Sequence, residues 1–104
     1  MNPITKSSGN VFRDLGLPDA DARLAKAKLV LKIADIIERR GLNQSEAAAI
    51  LGIHQPQVSQ LLRGRIEGYT IERLLRFLTA LDEDVMITTR QKPKGRDRAT
   101  VRVA

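Results

Sequence analysis

The chain has no cysteine and no tryptophan, a single histidine, and only three aromatic residues among 104. Without cysteine there is no disulfide framework and no thiolate metal site. One histidine cannot hold zinc alone, so the expectation is a protein with no metal and no cofactor. No apolar run approaches the roughly 20 residues that cross a bilayer, and no signal-peptide pattern opens the chain. A cytoplasmic protein with no membrane partner is the resulting expectation. Nucleophilic and phosphate-transfer constellations are also missing. There is no Cys–His pair, no serine with a plausible base and no glycine-rich phosphate loop. The acids Asp82, Glu83 and Asp84 are adjacent in sequence rather than set across a cleft. An enzyme is therefore not expected.

What is present is positive charge, unevenly spread. The formal net charge is +6. From Arg90 onward, Arg90, Lys92, Lys94, Arg96, Arg98 and Arg102 face only Asp97, a net +5 that leaves +1 for the other eighty-nine residues. A basic tail on a near-neutral body suits a nucleic-acid or acidic-protein partner.

Residues 43–63, NQSEAAAILGIHQPQVSQLLR, organise the rest. They read as two short helices, Gln44–Leu51 and Gln55–Leu62, joined by a tight turn at Gly52, Ile53 and His54. Asn43 with Glu46 three residues on makes a capping-box pattern. Gly52 follows the last apolar residue of the first helix, where a left-handed backbone is needed. Pro56 falls at the start of the second, where its missing N–H costs nothing. Ala47, Ala48 and Leu51 share one side of the first helix; Val58, Leu61 and Leu62 share one side of the second. Gln55, Gln57, Ser59 and Gln60 remain outward, a face of amides and a hydroxyl with no acid. This is the layout of a helix-turn-helix, whose second helix reads the major groove.

The segment resembles the helix-turn-helix of the lambda-repressor-like (XRE) family. Ala48 stands at that family's small residue, Gly52 at its turn glycine, and Val58 and Leu61 at its apolar anchors. Gln44 and Gln55 match its paired polar positions for phosphate and base, whereas Pro56 departs from members with a polar residue there. The flanking stretches, VFRDLGLPDADARLAKAKL and GYTIERLLRFLTALDEDVMI, resemble small antitoxin regulators of the HigA type. The resemblance implies an all-α, lambda-repressor-like bundle of about five short helices. It also implies a repressor of its own operon that binds a toxin, an mRNA-cleaving enzyme in that family. The second functional reading is an interaction module that keeps the fold without reading a specific operator.

The roles divide by chemistry. Gln55, Gln57, Ser59 and Gln60 are the candidate base readers, glutamine suiting adenine N6 and N7. Gln44, His54, Arg63 and Arg65 are the candidate backbone contacts: Gln44 from a helix N-terminus, His54 from the turn, and the arginines from the loop beyond the reading helix.

Around this unit, residues 1–10 read as a mobile arm and residues 11–82 as the DNA-binding domain. The domain opens on a short amphipathic run with Val11, Phe12, Leu15 and Leu17. A long helix follows, N-capped by Asp19 and stopped by Gly41. Its core stripe is Val30, Ile33, Ala34 and Ile37, and Leu24, Leu29, Leu31 and Ile36 widen its apolar surface, so it is deeply packed or partly covered by another chain. Thr70 caps a last helix with a stripe of Ile71, Leu74, Leu75, Leu78 and Leu81 and with Phe77 at its margin. Asp82, where related sequences often have Gly, implies a looser helix end. Residues 83–90 read as a C-terminal β-strand, in which Val85, Met86, Ile87, Thr88 and Thr89 pair with the same strand of a second subunit in a homodimer. A hairpin with residues 100–103 and strand addition to another protein are the other ways to satisfy its backbone. Residues 91–104 form the basic tail. The whole then acts as a dimer on a double-stranded operator with half-sites roughly 34 Å apart.

Overall fold

The computed structural model describes residues 19–104, and these hold four helices. They are α1 (Asp19–Arg39), α2 (Gln44–Leu51), α3 (Gln55–Leu62) and α4 (Ile71–Ala80). Helix α1 packs against α4 and α3, and α2 packs against α3 and α4. One core lies between them, with Ile33, Val58, Leu61 and Leu74 fully buried and Leu81 nearly so.

The helix starts follow from the residues expected to cap them. Asn43 Oδ1 accepts from the Glu46 N–H at 2.7 Å, and the Asn43 N–H donates to Glu46 Oε1 at 2.8 Å. Thr70 Oγ1 accepts from the Arg73 N–H at 3.1 Å. Asp19 is the first helical residue rather than a cap.

All four helices end the same way. A residue with positive φ follows each, namely Gly41, Gly52, Gly64 and Asp82. The next N–H then reaches back to a carbonyl of the last turn: Leu42 to Ile37, Ile53 to Ala48, Arg65 to Gln60 and Glu83 to Leu78. This closure turns the chain sharply and satisfies carbonyls the helix leaves open. Asp82, at φ 65°, does the work of a glycine there. Aspartate is one of the few side chains that tolerate this region, and the Arg40 guanidinium donates to the Leu81 carbonyl at 3.0 Å beside it. The end of α4 is therefore closed, not loose.

Three expectations are corrected. The described residues contain four helices, not five; the amphipathic run at residues 11–17, read as a further packed element, lies outside them, as does the arm at residues 1–10. There is no β-strand at residues 83–90. Residues 85–88 and 101–103 line one cleft of about 520 Å³ with α1 and α4. They exchange no backbone hydrogen bond there, and beyond Glu83 the single one among the described residues is Arg96 N–H to the Pro93 carbonyl. Alternating β-branched residues fit a pleat, but a strand exists only where a partner supplies the ladder. Phe77, placed at the margin of α4, is 4 % exposed and sits in the core; Tyr69 meets its ring edge-on at 5.8 Å.

The basic tail is tied to the body. Arg98 Nη1 donates to Asp21 Oδ2 at 2.9 Å, and within the tail Lys92 Nζ donates to the Arg96 carbonyl at 2.6 Å and Arg96 Nη1 to Thr100 Oγ1 at 3.0 Å. Hydrogen bonding from Arg98 holds the Asp21 carboxyl below its ordinary value, and the same contact raises Arg98.

At Gly52 no atom lies where a Cβ would go, so only backbone strain resists substitution. Gly52→Ala is expected to cost about 1 kcal/mol, a drop of roughly 4–8 °C in melting temperature. Asp82→Gly should gain about 0.5 kcal/mol by the same argument in reverse. Thermal melts followed by circular dichroism check both.

Candidate nucleic-acid interface

Helix α3 is fixed by its inner face. Val58 and Leu61 are fully buried, in the same core cluster as Ala47, also fully buried, and Ala48, 7 % exposed, on the adjoining helix α2. Alanines at this crossing let the two backbones approach, and Ile53 packs partly buried at the turn. With the inner face committed, the outer one is set by helical geometry. Gln55, Pro56, Gln60 and Arg63 are exposed, and Ser59 is half-buried beside them.

Gln57 stands apart from the other three polar residues. It is half-buried, and its Oε1 accepts from the His54 N–H at 2.8 Å. It closes the N-terminus of α3, as Glu46 closes that of α2. The i, i+3 spacing of His54 and Gln57 repeats that of Asn43 and Glu46, so this role was recoverable from the sequence; histidine in the cap position hid it. The freely presented hydrogen-bonding groups of the reading helix are thus Gln55, Ser59 and Gln60.

The candidate backbone contacts lie at the N-termini of α2 and α3 and in the loop beyond α3. Gln44 is exposed at the first position of α2. The capping box serves the third amide of α2, leaving the N–H groups of Gln44 and Ser45 at the positive end of the helix dipole. His54 is exposed at the N-cap of α3. Arg63 and Arg65 are exposed on either side of Gly64, and neither has an ion pair among the described residues. The acid of this loop, Glu67, interacts with Lys26 of α1. Partial burial holds the Lys26 amine below its ordinary value, and Glu67 works against that shift. A cation from α1 thereby answers the contrary charge nearest the arginines.

The residues expected at a dimer contact lie elsewhere. Val85 is half-buried against the core, while Met86, Ile87, Thr88 and Thr89 are exposed, the first three in the cleft with α1 and α4, which holds no residue of α3. Sequence reasoning passed over Arg73, whose guanidinium sits 5.1 Å from the Tyr69 ring centre and 5.5 Å from that of Phe77. It covers the aromatic pair at the start of α4.

Two helices crossed through small residues, with an acid-free polar face on the second, define a helix-turn-helix DNA-binding domain. Comparison with known proteins agrees. Residues 11–90 match the family model described as a helix-turn-helix domain. A solved structure described as an XRE-family transcriptional regulator superposes with a TM-score of 0.78 at 45 % identity, covering 84 % of this chain and 98 % of that one. A search of curated proteins found no match. The chain belongs to the helix-turn-helix family of XRE transcriptional regulators and is a DNA-binding regulator. Among the described residues no helix is long and apolar enough to cross a membrane.

The split within α3 can be measured. Gln57→Ala should lower stability by about 1 kcal/mol through the lost cap bond. Gln60→Ala, on the exposed face, should stay within about 0.5 kcal/mol of the parent. Equal effects in a urea titration would place both glutamines in the same role.

Proposed function

We propose that the protein is a sequence-specific transcriptional repressor that binds a two-half-site operator as a homodimer. The observation that carries this reading is a reading helix whose inner face is wholly packed while Gln55, Ser59 and Gln60 keep their hydrogen-bonding groups free. Glutamine offers a donor and an acceptor in the spacing of adenine N6 and N7, so A·T pairs are among those read. Ser59 is small enough to let the helix seat deeply. Pro56 makes no hydrogen bond from its side chain; its ring packs on a thymine methyl. Gln44 and His54 hold phosphates on one flank and Arg63 and Arg65 on the other, fixing the register of α3 without reading sequence. Occupied promoter DNA excludes polymerase, so the outcome is repression. No catalytic step enters this function.

Within that reading the protein acts as the antitoxin of a HigBA-type pair, regulating an operon that also encodes its toxin. The support is the likeness of the stretches flanking the helix-turn-helix to small regulators of that type. The toxin contact falls to the N-terminal segment with Val11 and Phe12 or to the basic tail. Residues 85–89 belong to the homodimer contact through their side chains.

Titration against the chain's own upstream DNA over a salt series tests the operator reading. The protein should prefer that DNA to a scrambled duplex by several kcal/mol. Gln55→Ala combined with Gln60→Ala should abolish the preference and leave the thermal melt nearly unchanged. Arg63→Ala with Arg65→Ala should weaken binding to both duplexes and reduce the salt slope by roughly 2 per protomer. Equal affinity of the parent protein for both duplexes would reject sequence-specific repression. For the antitoxin role, co-expression with the product of the adjoining reading frame should relieve that product's toxicity and yield a co-purifying complex.

A further inference from the structure

Helix α4 has two sides beyond the core. Ile71, Leu75 and Leu78 line the cleft with α1 and the C-terminal segment. Thr70, Arg73, Arg76 and Phe77 lie on the other side, around a surface hollow of about 530 Å³ shared with Leu51, the last residue of α2. That second side therefore adjoins the helix-turn-helix. It also adjoins the loop beyond α3. The Tyr69 N–H donates to the Ile66 carbonyl at 3.1 Å, closing a four-residue turn that sets their Cα atoms within roughly 7 Å. Arg65 precedes Ile66 by one peptide unit, so its Cα lies within about 11 Å of that of Tyr69.

Tyr69 and Arg73 hold each other in place there. The buried Phe77 meets the Tyr69 ring edge-on, and the Arg73 guanidinium sits over both rings. Attraction between a cation and a ring face fixes where the guanidinium rests, while the N–H groups around its edge can still donate. Arg73 is exposed and has no ion pair among the described residues, and the Tyr69 hydroxyl has no hydrogen-bond partner among them. The two acids nearest in the chain are engaged elsewhere: Glu67 interacts with Lys26 of α1, and Glu72 pairs with Arg76 at 2.8 Å. A free hydroxyl and a pre-set guanidinium beside Arg63 and Arg65, with the local negative charge answered, suit a phosphodiester backbone.

We propose that Tyr69 and Arg73 extend the backbone contact of Arg63 and Arg65 along the DNA, the hydroxyl and the guanidinium each donating to a phosphate oxygen. Neither reads sequence; together they lengthen the grip that holds α3 in register. The proposal rests on duplex DNA as the ligand and not on which operator is read.

The full chain is titrated with its own upstream DNA and with a scrambled duplex over a salt series. Tyr69→Phe keeps the ring and removes the donor. It should weaken binding to both duplexes about fivefold and leave the salt slope and the thermal melt as in the parent. Arg73→Gln should weaken both and reduce the slope by about 1 per protomer, and Arg73→Lys should restore the slope. Arg39→Gln, on the cleft side of α1, should keep the parent's slope. Should Arg73→Gln lose its fold, Tyr69→Phe alone is the measure. Unchanged affinity in Tyr69→Phe, a parental slope in folded Arg73→Gln, or a parent that binds neither duplex would overturn the proposal. A parent that binds both duplexes alike would count against sequence-specific repression alone, since the effects are read on either duplex.

Discussion

The crossing of α2 and α3 is the constraint on which everything else rests. Ala47, Val58 and Leu61 expose no surface at all, so the second helix cannot roll about its axis without opening a void or driving a side chain into a backbone. In a core packed to crystal-like density, either is costly. The chain thus fixes which side chains of α3 face outward with buried alanine, valine and leucine rather than with polar contacts. The polar face remains free because it bears no load in the fold.

The helix ends supply the second part of the rigidity. Helices α2, α3 and α4 are short, from eight to ten residues, and short helices fray unless their ends are satisfied. Left-handed closures at Gly41, Gly52, Gly64 and Asp82 stop every helix at a defined residue and turn the chain toward the next. Arg40 joins two of these closures, since it lies one residue before Gly41 and donates to Leu81 just before Asp82. The ends of α1 and α4 are thereby held together, and the tail leaves from that point.

How legible this was in the sequence depended on how local each feature is. The bounds of α2 and α3 coincide with those expected from Asn43, Glu46, Gly52 and Pro56, because caps and turns act within a few residues. The strand expected at residues 83–90 failed because pairing is not local: nothing within those residues says whether a partner backbone lies alongside. Phe77 was misplaced for a related reason, since the width of the buried arc on α4 depends on how α1 and α2 sit around it. Asp82 looked like a weak stop because the guanidinium that supports the turn comes from Arg40, 41 positions before the Leu81 carbonyl it donates to. In the site, the outward polar face was legible from spacing alone, whereas the use of Gln57 as a cap required seeing His54 as the residue it caps. Leu24 and Leu31 of α1 were readable only as surplus apolarity; that they stay outside the core is decided by how the other helices sit against α1.

The bond between Gln57 and the His54 backbone divides the reading helix into a tethered glutamine and three residues with no structural duty. Gln55 and Gln60, exposed and outside the hydrogen bonds that build the helix, can therefore be exchanged while the domain stays folded, and under the proposed operator reading each exchange alters which base pairs are recognised. On that reading, duplicated copies of such a gene can drift toward separate operators through surface changes alone, and the scaffold need not change with them.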